Sequence, residues 1–381
     1  MKIVFLGLAS TFTPGMSYQD NELCKQTLAD GHSVTYIASP DKFVNGVVTQ
    51  TEPEDTVLPD GLHLIRVPYC KLGPNIITKK VRKFKGIYKI LEQEKPDVLF
   101  CHCAQYWSVL DAVRYKKKHP EVRLYADTHA AAYNSGTNWL SLYVQHRILY
   151  RYLTKKMIPY LEKYYYVGVS EREFAEKNYG VPRSLLEHYP LGGHPLPEAE
   201  YSEKRARRRQ ELELVEGELL FVHSGKLDAL KRTEDLLRAF AAVPELKAKL
   251  AIIGTVPDST KETLLPLMEA DPRVVFLGWK SGSELQEYLC AADLYCQPGS
   301  VSATMQNSVC CNCPVLLYPH DIYTQDLDFG NILWVETRED IENAFRKIER
   351  KEADLTVLRS GSERCARELL DYKKLAARLY T

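Results

Sequence analysis

Residues 1–38, MKIVFLGLASTFTPGMSYQDNELCKQTLADGHSVTYIA, carry the pattern that decides the fold. The apolar run Ile3–Leu8 has the length of a buried strand, and Ser33–Ala38 is a second such run. Between them, Asn21–Ala29 has the pattern of a helix, and Gly31 follows it as a turn residue. This order predicts two parallel strands joined by a crossover helix.

The same alternation continues along the whole chain. In the first half we predict further strands at Leu62–Val67, Val98–Cys103, Arg123–Asp127 and Tyr165–Val169. In the second half, strands and helices alternate from Leu219–His223 to Val315–Tyr318. Because 381 residues exceed the roughly 300 at which one core stops growing, we expect two Rossmann-like α/β domains.

The boundary between the domains is predicted at Tyr189–Pro195, where two prolines and two glycines interrupt regular structure. The first domain is then 1–190, and the second is 197–365. Ligands of open α/β sheets bind at the carboxyl ends of the strands. We therefore expect the substrates in a cleft between two facing domains.

Charge and cysteine content exclude several classes of function. Fifty basic side chains balance fifty acidic ones, so no overall field attracts nucleic acid. The ten cysteines lie in apolar segments, and we expect reduced thiols in a cytoplasmic protein. Neither Cys101-His102-Cys103 nor the group at Cys310, Cys311 and Cys313 has a partner pair at zinc spacing, so no metal site is predicted.

A basic run extends from Lys79 to Lys89, with apolar residues such as Phe84 and Ile87 interleaved. This mixture is typical of an amphipathic segment that binds a membrane surface. Charged helix faces are more often only solvated. Peripheral membrane contact through Lys79–Lys89 is therefore one prediction, and a solvated face is its alternative.

The segment His223–Arg232, HSGKLDALKR, lies between a predicted buried strand and the predicted helix Glu234–Ala242. It places Lys226 and Lys231 on one loop, and Gly225 lets the backbone pass close to a ligand. Fixed cations at the carboxyl end of a strand can neutralise a diphosphate as it departs. The alternative is that each lysine is a solvated loop charge.

This segment resembles the Gly-Arg/Lys-Leu-x3-Lys signature of glycosyltransferase family 4, in which the two basic residues hold the donor phosphates. Ile252–Gly254, Val274–Gly278 and Glu284–Pro298 are similar to further blocks of that family, in the same order. The resemblance implies a GT-B fold, with two Rossmann-like domains facing across a cleft. It also implies that a C-terminal helix, here 366–381, returns to the first domain.

The function implied by the resemblance is transfer of a sugar from a nucleotide-diphosphate sugar, such as a UDP- or GDP-sugar. The acceptor would be a glycan or a lipid-linked molecule in cell-surface polysaccharide or glycoconjugate synthesis. Retention of configuration is expected, and no metal or other cofactor is required. The protein would be cytoplasmic, with peripheral contact at the inner face of the membrane.

Two residues of the first domain are further candidates. Gly15 follows the first strand and precedes a helix, so backbone N–H groups there can face an anion, although a plain turn is the alternative. His129 follows the predicted strand Arg123–Asp127 and resembles the family histidine that contacts the donor sugar. A purely structural histidine is the alternative reading of His129.

The sequence departs from the family at the usual Glu-x7-Glu pair. Counting from the following proline places the second position at Asn307 and the first at Gly299, whereas counting from the preceding proline places the first at Ser302. No carboxylate occurs between Asp293 and Asp321, so the acidic pair is absent. A front-face route, in which the departing phosphate accepts the acceptor proton, needs no enzyme nucleophile.

Polar side chains and N–H groups in this segment are still predicted to bind the donor. The predicted contacts are Ser302, Ala303, Thr304, Met305, Gln306 and Asn307. Two alternatives remain because the carboxylates are missing. The chain could be a catalytically inactive sugar-nucleotide-binding partner of another transferase, or a sugar-nucleotide epimerase.

Overall fold

A computed structural model describes residues 1–44, 47–302, 304–320, 323 and 325–381. The chain forms two compact units, one of residues 1–190 with 372–381 and the other of residues 191–371. It returns to the first unit at Tyr372, whereas the sequence predicted a return at residue 366. The segment before Tyr372 stays in the second unit because Ala366 and Leu370 are buried in that unit's core.

The first unit is built on a sheet of eight strands among its described residues, in the order β10-β9-β8-β7-β1-β2-β6-β5. Pairing is parallel throughout, except that β5 runs antiparallel to β6. A separate hairpin joins β3 and β4. The strands are β1 (Lys2–Gly7), β2 (Ser33–Ala38), β3 (Asp41–Val44), β4 (Val47–Gln50), β5 (Glu54–Val57), β6 (His63–Arg66), β7 (Val98–Cys101), β8 (Arg123–Thr128), β9 (Lys163–Tyr166) and β10 (Leu186–His188).

Helices cover both faces of this sheet. They are α1 (Gln19–Ala29), α2 (Asn75–Val81), α3 (Ile87–Glu94), α4 (Val109–Lys118), the π-helix Leu140–Tyr150, α5 (Arg151–Met157), the 3-10 turn Ile158–Tyr160, α6 (Val169–Phe174) and the π-helix Ala175–Tyr179. The short helix Tyr372–Ala377 completes one face, where Leu375 and Leu379 are buried beside Leu23 of α1.

The basic run Lys79–Lys89 is not one amphipathic helix. It spans the end of α2, a loop and the start of α3, and Arg82 ends α2 with a left-handed φ of 51°. Phe84 and Ile87 are buried in the core of the first unit, while the lysines of the run are exposed. The predicted apolar component of this segment is therefore unavailable to a membrane.

The second unit carries a parallel sheet of six described strands in the order β13-β12-β11-β14-β15-β16. The strands are β11 (Leu219–Lys226), β12 (Ala248–Thr255), β13 (Val274–Gly278), β14 (Leu294–Gln297), β15 (Val315–Leu317) and β16 (Ile332–Trp334). The helices are α7 (Glu198–Glu211), the 3-10 turn Ala229–Lys231, α8 (Thr233–Ala241), α9 (Asp258–Ala270), α10 (Gly282–Ala291), α11 (Thr304–Cys310), the 3-10 turn Gln325–Leu327, α12 (Arg338–Glu349), α13 (Leu355–Cys365) and the π-helix Ala366–Leu370.

Each sheet has one topological switch point. In the first unit, β2 and β7 flank β1, and the chain proceeds outward from them in opposite directions. In the second unit the reversal lies between β11 and β14. The crevice at the carboxyl ends of such strands is where open α/β sheets bind ligands. A ligand site is therefore expected at the carboxyl ends of β1 and β7 in the first unit, and at those of β11 and β14 in the second.

Candidate functional site

The carboxyl end of β11 brings three of the predicted residues together. Gly225 has a φ of 134°, and a Cβ built there would lie 3.0 Å from Cε of Lys231. The glycine therefore makes room for the Lys231 side chain to pass along the end of the strand. The Lys231 Nζ donates to the carbonyl of Ser300 at 3.4 Å. Lys226 is the last residue of β11, and its side chain is exposed.

Lys231 is 8% exposed, so the two lysines of the loop differ in environment. Burial lowers the pKa of Lys231, and the nearby negative charge of Asp228 partly opposes this effect. Asp228 also fixes the turn, because its carboxylate accepts from the Leu230 N–H at 3.1 Å. Lys231 is thus a positioned cation with incomplete hydration, which favours binding of an anion.

The loop after β14 packs directly on the loop between Lys226 and Arg232, which we call the lysine loop. The Ser300 N–H donates to the Leu230 carbonyl at 2.7 Å, and Arg232 donates to the Pro298 carbonyl at 3.2 Å. A Cβ at Gly299 would lie 2.2 Å from the Leu230 carbonyl oxygen. If Gly299 occupies the first position of the family pair, the packing leaves no room there for a glutamate.

The predicted donor contacts at the start of α11 fall into different environments. Ser302 accepts from the Thr304 N–H at 3.3 Å, and its hydroxyl donates to Thr304 Oγ1 at 3.1 Å. Met305 is buried in the core, so its side chain cannot contact a ligand. Gln306 is half-buried with an unpartnered Oε1, and Asn307 is exposed. The prediction for Ala303 falls outside the described residues.

Two polar residues near the same edge were missed by the sequence analysis. Gln297 ends β14 and is buried; its Nε2 donates to the Tyr323 hydroxyl at 2.7 Å, and its Oε1 has no partner. His223 in β11 joins neighbouring elements through the Cys296 carbonyl at 2.7 Å and the Thr233 hydroxyl at 2.9 Å. Polar residues inside otherwise apolar strands are the signal that could have identified both.

The switch point of the first unit holds a buried network of ionisable groups. His102 follows β7, and its Nδ1 lies 2.8 Å from Oδ2 of Asp127 in β8. The Cys103 N–H donates to the other oxygen of Asp127. His129 Nε2 lies 3.6 Å from Asp127 Oδ2, and His102 Nε2 lies 3.8 Å from Asp20 Oδ2. Of these residues, only His129 was a predicted site residue.

Opposing effects set the charges in this network. Burial raises the pKa of Asp127, but the charge and hydrogen bonds of His102 and His129 outweigh it, so the pKa lies below its usual range. Burial lowers the pKa of His129, but Cys103 and Asp127 outweigh it and raise the pKa. The arrangement favours an ionised Asp127 beside protonated imidazole. The side chain of His129 is 29% exposed, although its Nε2 is buried and has no hydrogen-bond partner among the described residues.

Four of these residues have the composition of a cation site. One ligand atom from each of His102, Cys103, Asp127 and His129 lies within 4.8 Å of the others. Both carboxylate oxygens of Asp127 already accept hydrogen bonds from within the group. The internal bonds account for the close packing of these groups. The sequence analysis had considered His102 and Cys103 only together with Cys101, which is buried in the core.

Gly15 lies in the loop between β1 and α1. It adopts a φ of 81° in an exposed turn, and a Cβ built there would have no neighbour within 4 Å. Helix α1 begins four residues later, at Gln19. The left-handed φ explains the glycine by backbone conformation.

Comparison with known proteins finds a family match within the second unit. Residues 204–358, all within the second unit, match the family described as glycosyl transferases group 1. The alpha-galactosylglucosyldiacylglycerol synthase of Streptococcus pneumoniae is 25% identical over 201 residues, which are 50% of this chain and 52% of that protein. The match therefore spans about half the length of this curated relative.

Solved structures match the chain over nearly its whole length. The Anabaena protein HepE in complex with UDP aligns with a TM-score of 0.63 and 14% identity, covering 99% of this chain and 98% of that one. A glycosyltransferase from Rickettsia africae gives 0.64 and 11%, covering 99% and 96%. WaaG, a glycosyltransferase involved in lipopolysaccharide biosynthesis, gives 0.60 and 16%, covering both chains fully. The chain therefore has the two-unit GT-B fold of these structures, and residues 204–358 match the group 1 glycosyl transferase family.

Proposed function

We propose that the protein is a glycosyltransferase that takes its sugar from a nucleotide-diphosphate donor. The observation that carries this proposal is the buried Lys231, which passes over Gly225 at the β11–β14 switch point. The group 1 domain and the UDP complexes of HepE support it. Lys226 and Lys231 would hold the pyrophosphate, and the hydroxyl and amide groups from Ser302 to Asn307 would bind the nucleoside or the sugar.

The chemistry proposed for this edge is stabilisation of a leaving group. Negative charge grows on the phosphate oxygen as its bond to the anomeric carbon breaks, and two ammonium groups nearby stabilise that charge. The acceptor hydroxyl forms the new bond on the same face, and its proton passes to the departing phosphate oxygen. The configuration is then retained without an enzyme carboxylate. Because the lysines supply the positive charge, we propose that no metal is required.

For the first unit we propose that its switch point binds the acceptor and that His129 contacts the donor sugar or stabilises charge at the reacting centre. The Asp127 carboxylate, 3.6 Å from His129 Nε2, favours the charged imidazole, which can donate a hydrogen bond to a sugar oxygen. Asp127 is then a positioning residue. A backbone N–H at Gly15 would face the anionic donor.

The acceptor is proposed to be a glycan or a lipid-linked molecule of cell-surface synthesis. The name of the Streptococcus pneumoniae relative, a glycolipid synthase, supports a lipid acceptor. Such an enzyme would act from the cytoplasm at the inner face of the membrane. The exposed lysines between Lys79 and Lys89 support peripheral contact there, whereas the burial of Phe84 and Ile87 does not.

Thermal unfolding with UDP, GDP and their sugars tests the proposal. We expect a nucleotide diphosphate to raise the unfolding temperature of the native protein, and the double substitution Lys226→Ala and Lys231→Ala to weaken that binding at least a hundredfold. Two lost charge-assisted contacts amount to about 3 kcal/mol or more. The matched control is Lys247→Ala with Lys261→Ala, which removes two exposed lysines of the same unit.

Turnover assays separate the alternatives. Release of free nucleotide diphosphate that requires an acceptor supports the transferase. Donor binding with no turnover on any acceptor would indicate an inactive partner, and conversion of the donor to its epimer without acceptor would indicate an epimerase. A double variant that binds nucleotide like the native protein would remove the phosphate assignment.

A further inference from the structure

An exposed apolar surface lies along one side of the continuous helix that the π-helix Leu140–Tyr150 forms with α5. It consists of large side chains spaced about four residues apart, which we call the apolar face: Trp139, Leu140, Tyr143, Val144, Ile148 and Tyr152. Trp139, Leu140 and Ile148 are 68%, 62% and 65% exposed. This concentration of exposed large apolar groups marks an interaction surface.

The opposite side of the same helix is already used by the fold. His146, Tyr150, Leu153 and Met157 are buried, and Tyr150, Leu153 and Met157 belong to the core of the first unit. A helix that is apolar on both sides is normally covered on both sides. The apolar face therefore lacks a partner within the described chain.

The sequence of this helix and its flanking residues is basic and contains no carboxylate. No Asp or Glu occurs from residue 128 to 161, while Arg147, Arg151, Lys155 and Lys156 lie in that stretch. A second stretch, residues 61–91, has eight basic residues and no carboxylate. Since the whole chain carries equal numbers of acidic and basic residues, this positive charge is a local feature of the first unit.

The two acid-free stretches meet in the structure. The Tyr150 hydroxyl donates to the carbonyl of Lys80 at 2.7 Å, which places the end of α2 against the helix. Helix α2 has both apolar and basic side chains exposed: Ile76 is 70% exposed, and Lys79 and Lys80 are exposed as well. Because Tyr150 lies on the buried side of the helix, this contact joins α2 to that side, and the exposed groups of α2 form a second basic and apolar surface of the first unit.

Aromatic rings and cations are paired within the apolar face. The rings of Trp139 and Tyr143 lie 5.7 Å apart, and the Arg147 guanidinium lies 4.6 Å from the Tyr143 ring centre. The Lys156 ammonium lies 5.5 Å from the ring centre of Tyr152. Trp, Tyr and basic residues on one surface are typical of the headgroup region of a bilayer.

We propose that the apolar face docks on a bilayer that contains anionic lipids. Apolar side chains enter the boundary between headgroups and acyl chains, and the surrounding cations meet the lipid phosphates. A symmetric dimer through the same face would instead bring the basic residues of two copies together. This inference deepens the proposed function, because docking would bring the enzyme to a lipid-linked acceptor, but it depends only on the first unit's exposed residues.

The experiment is flotation of the full chain with vesicles of phosphatidylcholine alone and of phosphatidylcholine with phosphatidylglycerol. We expect binding to the anionic vesicles and at least tenfold weaker binding to the neutral ones. Trp139→Ser with Ile148→Ser should weaken binding to anionic vesicles at least tenfold, and so should Lys155→Glu with Lys156→Glu. The matched controls, Trp279→Ser and Lys247→Glu with Lys261→Glu, change exposed residues of the second unit and should bind normally.

Nucleotide binding and sedimentation decide between the outcomes. The four substituted residues are exposed, so both variants should keep native thermal stability and native UDP or GDP binding, which separates docking from the donor site. Equal binding of native and variant proteins to anionic vesicles, or no vesicle binding by the native protein, would overturn the proposal. Self-association that Trp139→Ser with Ile148→Ser abolishes would overturn it in favour of a second copy of the chain.

Discussion

At the residue scale, Lys231 is a largely buried cation, and its burial has a cost for the stability of the protein without a ligand. Its ammonium is largely removed from water and donates to the Ser300 carbonyl. Among the described residues, no carboxylate lies within ion-pair distance of it. A buried cation without a full set of partners destabilises the fold until a ligand supplies the negative charge.

Lys231→Met should therefore separate stability from binding. We expect the free variant to be more stable than the native protein by about 1 kcal/mol, since an incompletely hydrated charge is replaced by an apolar chain of similar length. Nucleotide affinity should fall at least tenfold. Urea unfolding and titration calorimetry measure the two effects, with the exposed Lys226→Met as control for stability. A less stable variant with native affinity would contradict this account.

His223 predicts how stability depends on pH. Burial lowers the pKa of His223 from its usual 6.5 to about 4. Between these values the unfolded chain binds a proton that the folded protein does not, so stability falls as pH decreases from about 6.5 to about 4. The full loss is about 3 kcal/mol. Urea unfolding of native protein and His223→Gln at pH 7 and pH 4.5 should show a steeper decrease for the native protein, and parallel decreases would refute this.

At the element scale, the contact between the lysine loop and the loop after β14 depends on glycine. We expect Gly299→Ala to lower stability by about 1–3 kcal/mol and to weaken nucleotide binding, because its Cβ would lie 2.2 Å from the Leu230 carbonyl. Gly282→Ala is the matched control, since its Cβ would meet nothing within 4 Å and its residue begins α10. Denaturant unfolding compares the two, and equal stabilities would show that the loop adjusts without strain.

The sequence predicts these elements well where the signal is local. Apolar runs identified β1, β2, β7 and β11, because a strand buried on both faces is apolar along its length. Features that depend on contacts between distant parts of the chain could not be predicted from the sequence. The close packing of Gly299 comes from a loop some seventy residues earlier, and the burial of Phe84 comes from contacts that helical spacing does not reveal. The network at Asp127 likewise requires the pairing of β7 with β8.

At the scale of the whole molecule, the first unit is completed by the last ten residues of the chain. Leu379 is fully buried in its core, and the Tyr189 hydroxyl donates to the Leu375 carbonyl at 2.7 Å. The terminal segment therefore contributes to the packing of the first unit from a distant part of the sequence.

None of the helices among the described residues has both the length and the apolar character to cross a bilayer.

Leu379→Ala should destabilise the first unit by about 2–5 kcal/mol, the range for truncation of a buried leucine. The exposed Val357→Ala in α13 is the control and should change stability by less than about 0.5 kcal/mol. Differential scanning calorimetry measures both. A Leu379 variant as stable as the native protein would show that the terminal segment packs without energetic consequence.

The position of Tyr372–Thr381 in the first unit has a consequence for synthesis. Domains usually fold as they emerge from the ribosome, amino-terminal part first. Here residues 1–190 emerge early, yet the groove that receives Leu375 and Leu379 stays open until residues 191–371 have been translated. The nascent first unit therefore presents an apolar groove for the time needed to make about 180 further residues. Until then, the residues that Leu375 and Leu379 cover in the finished fold, Leu23 among them, lack that contact.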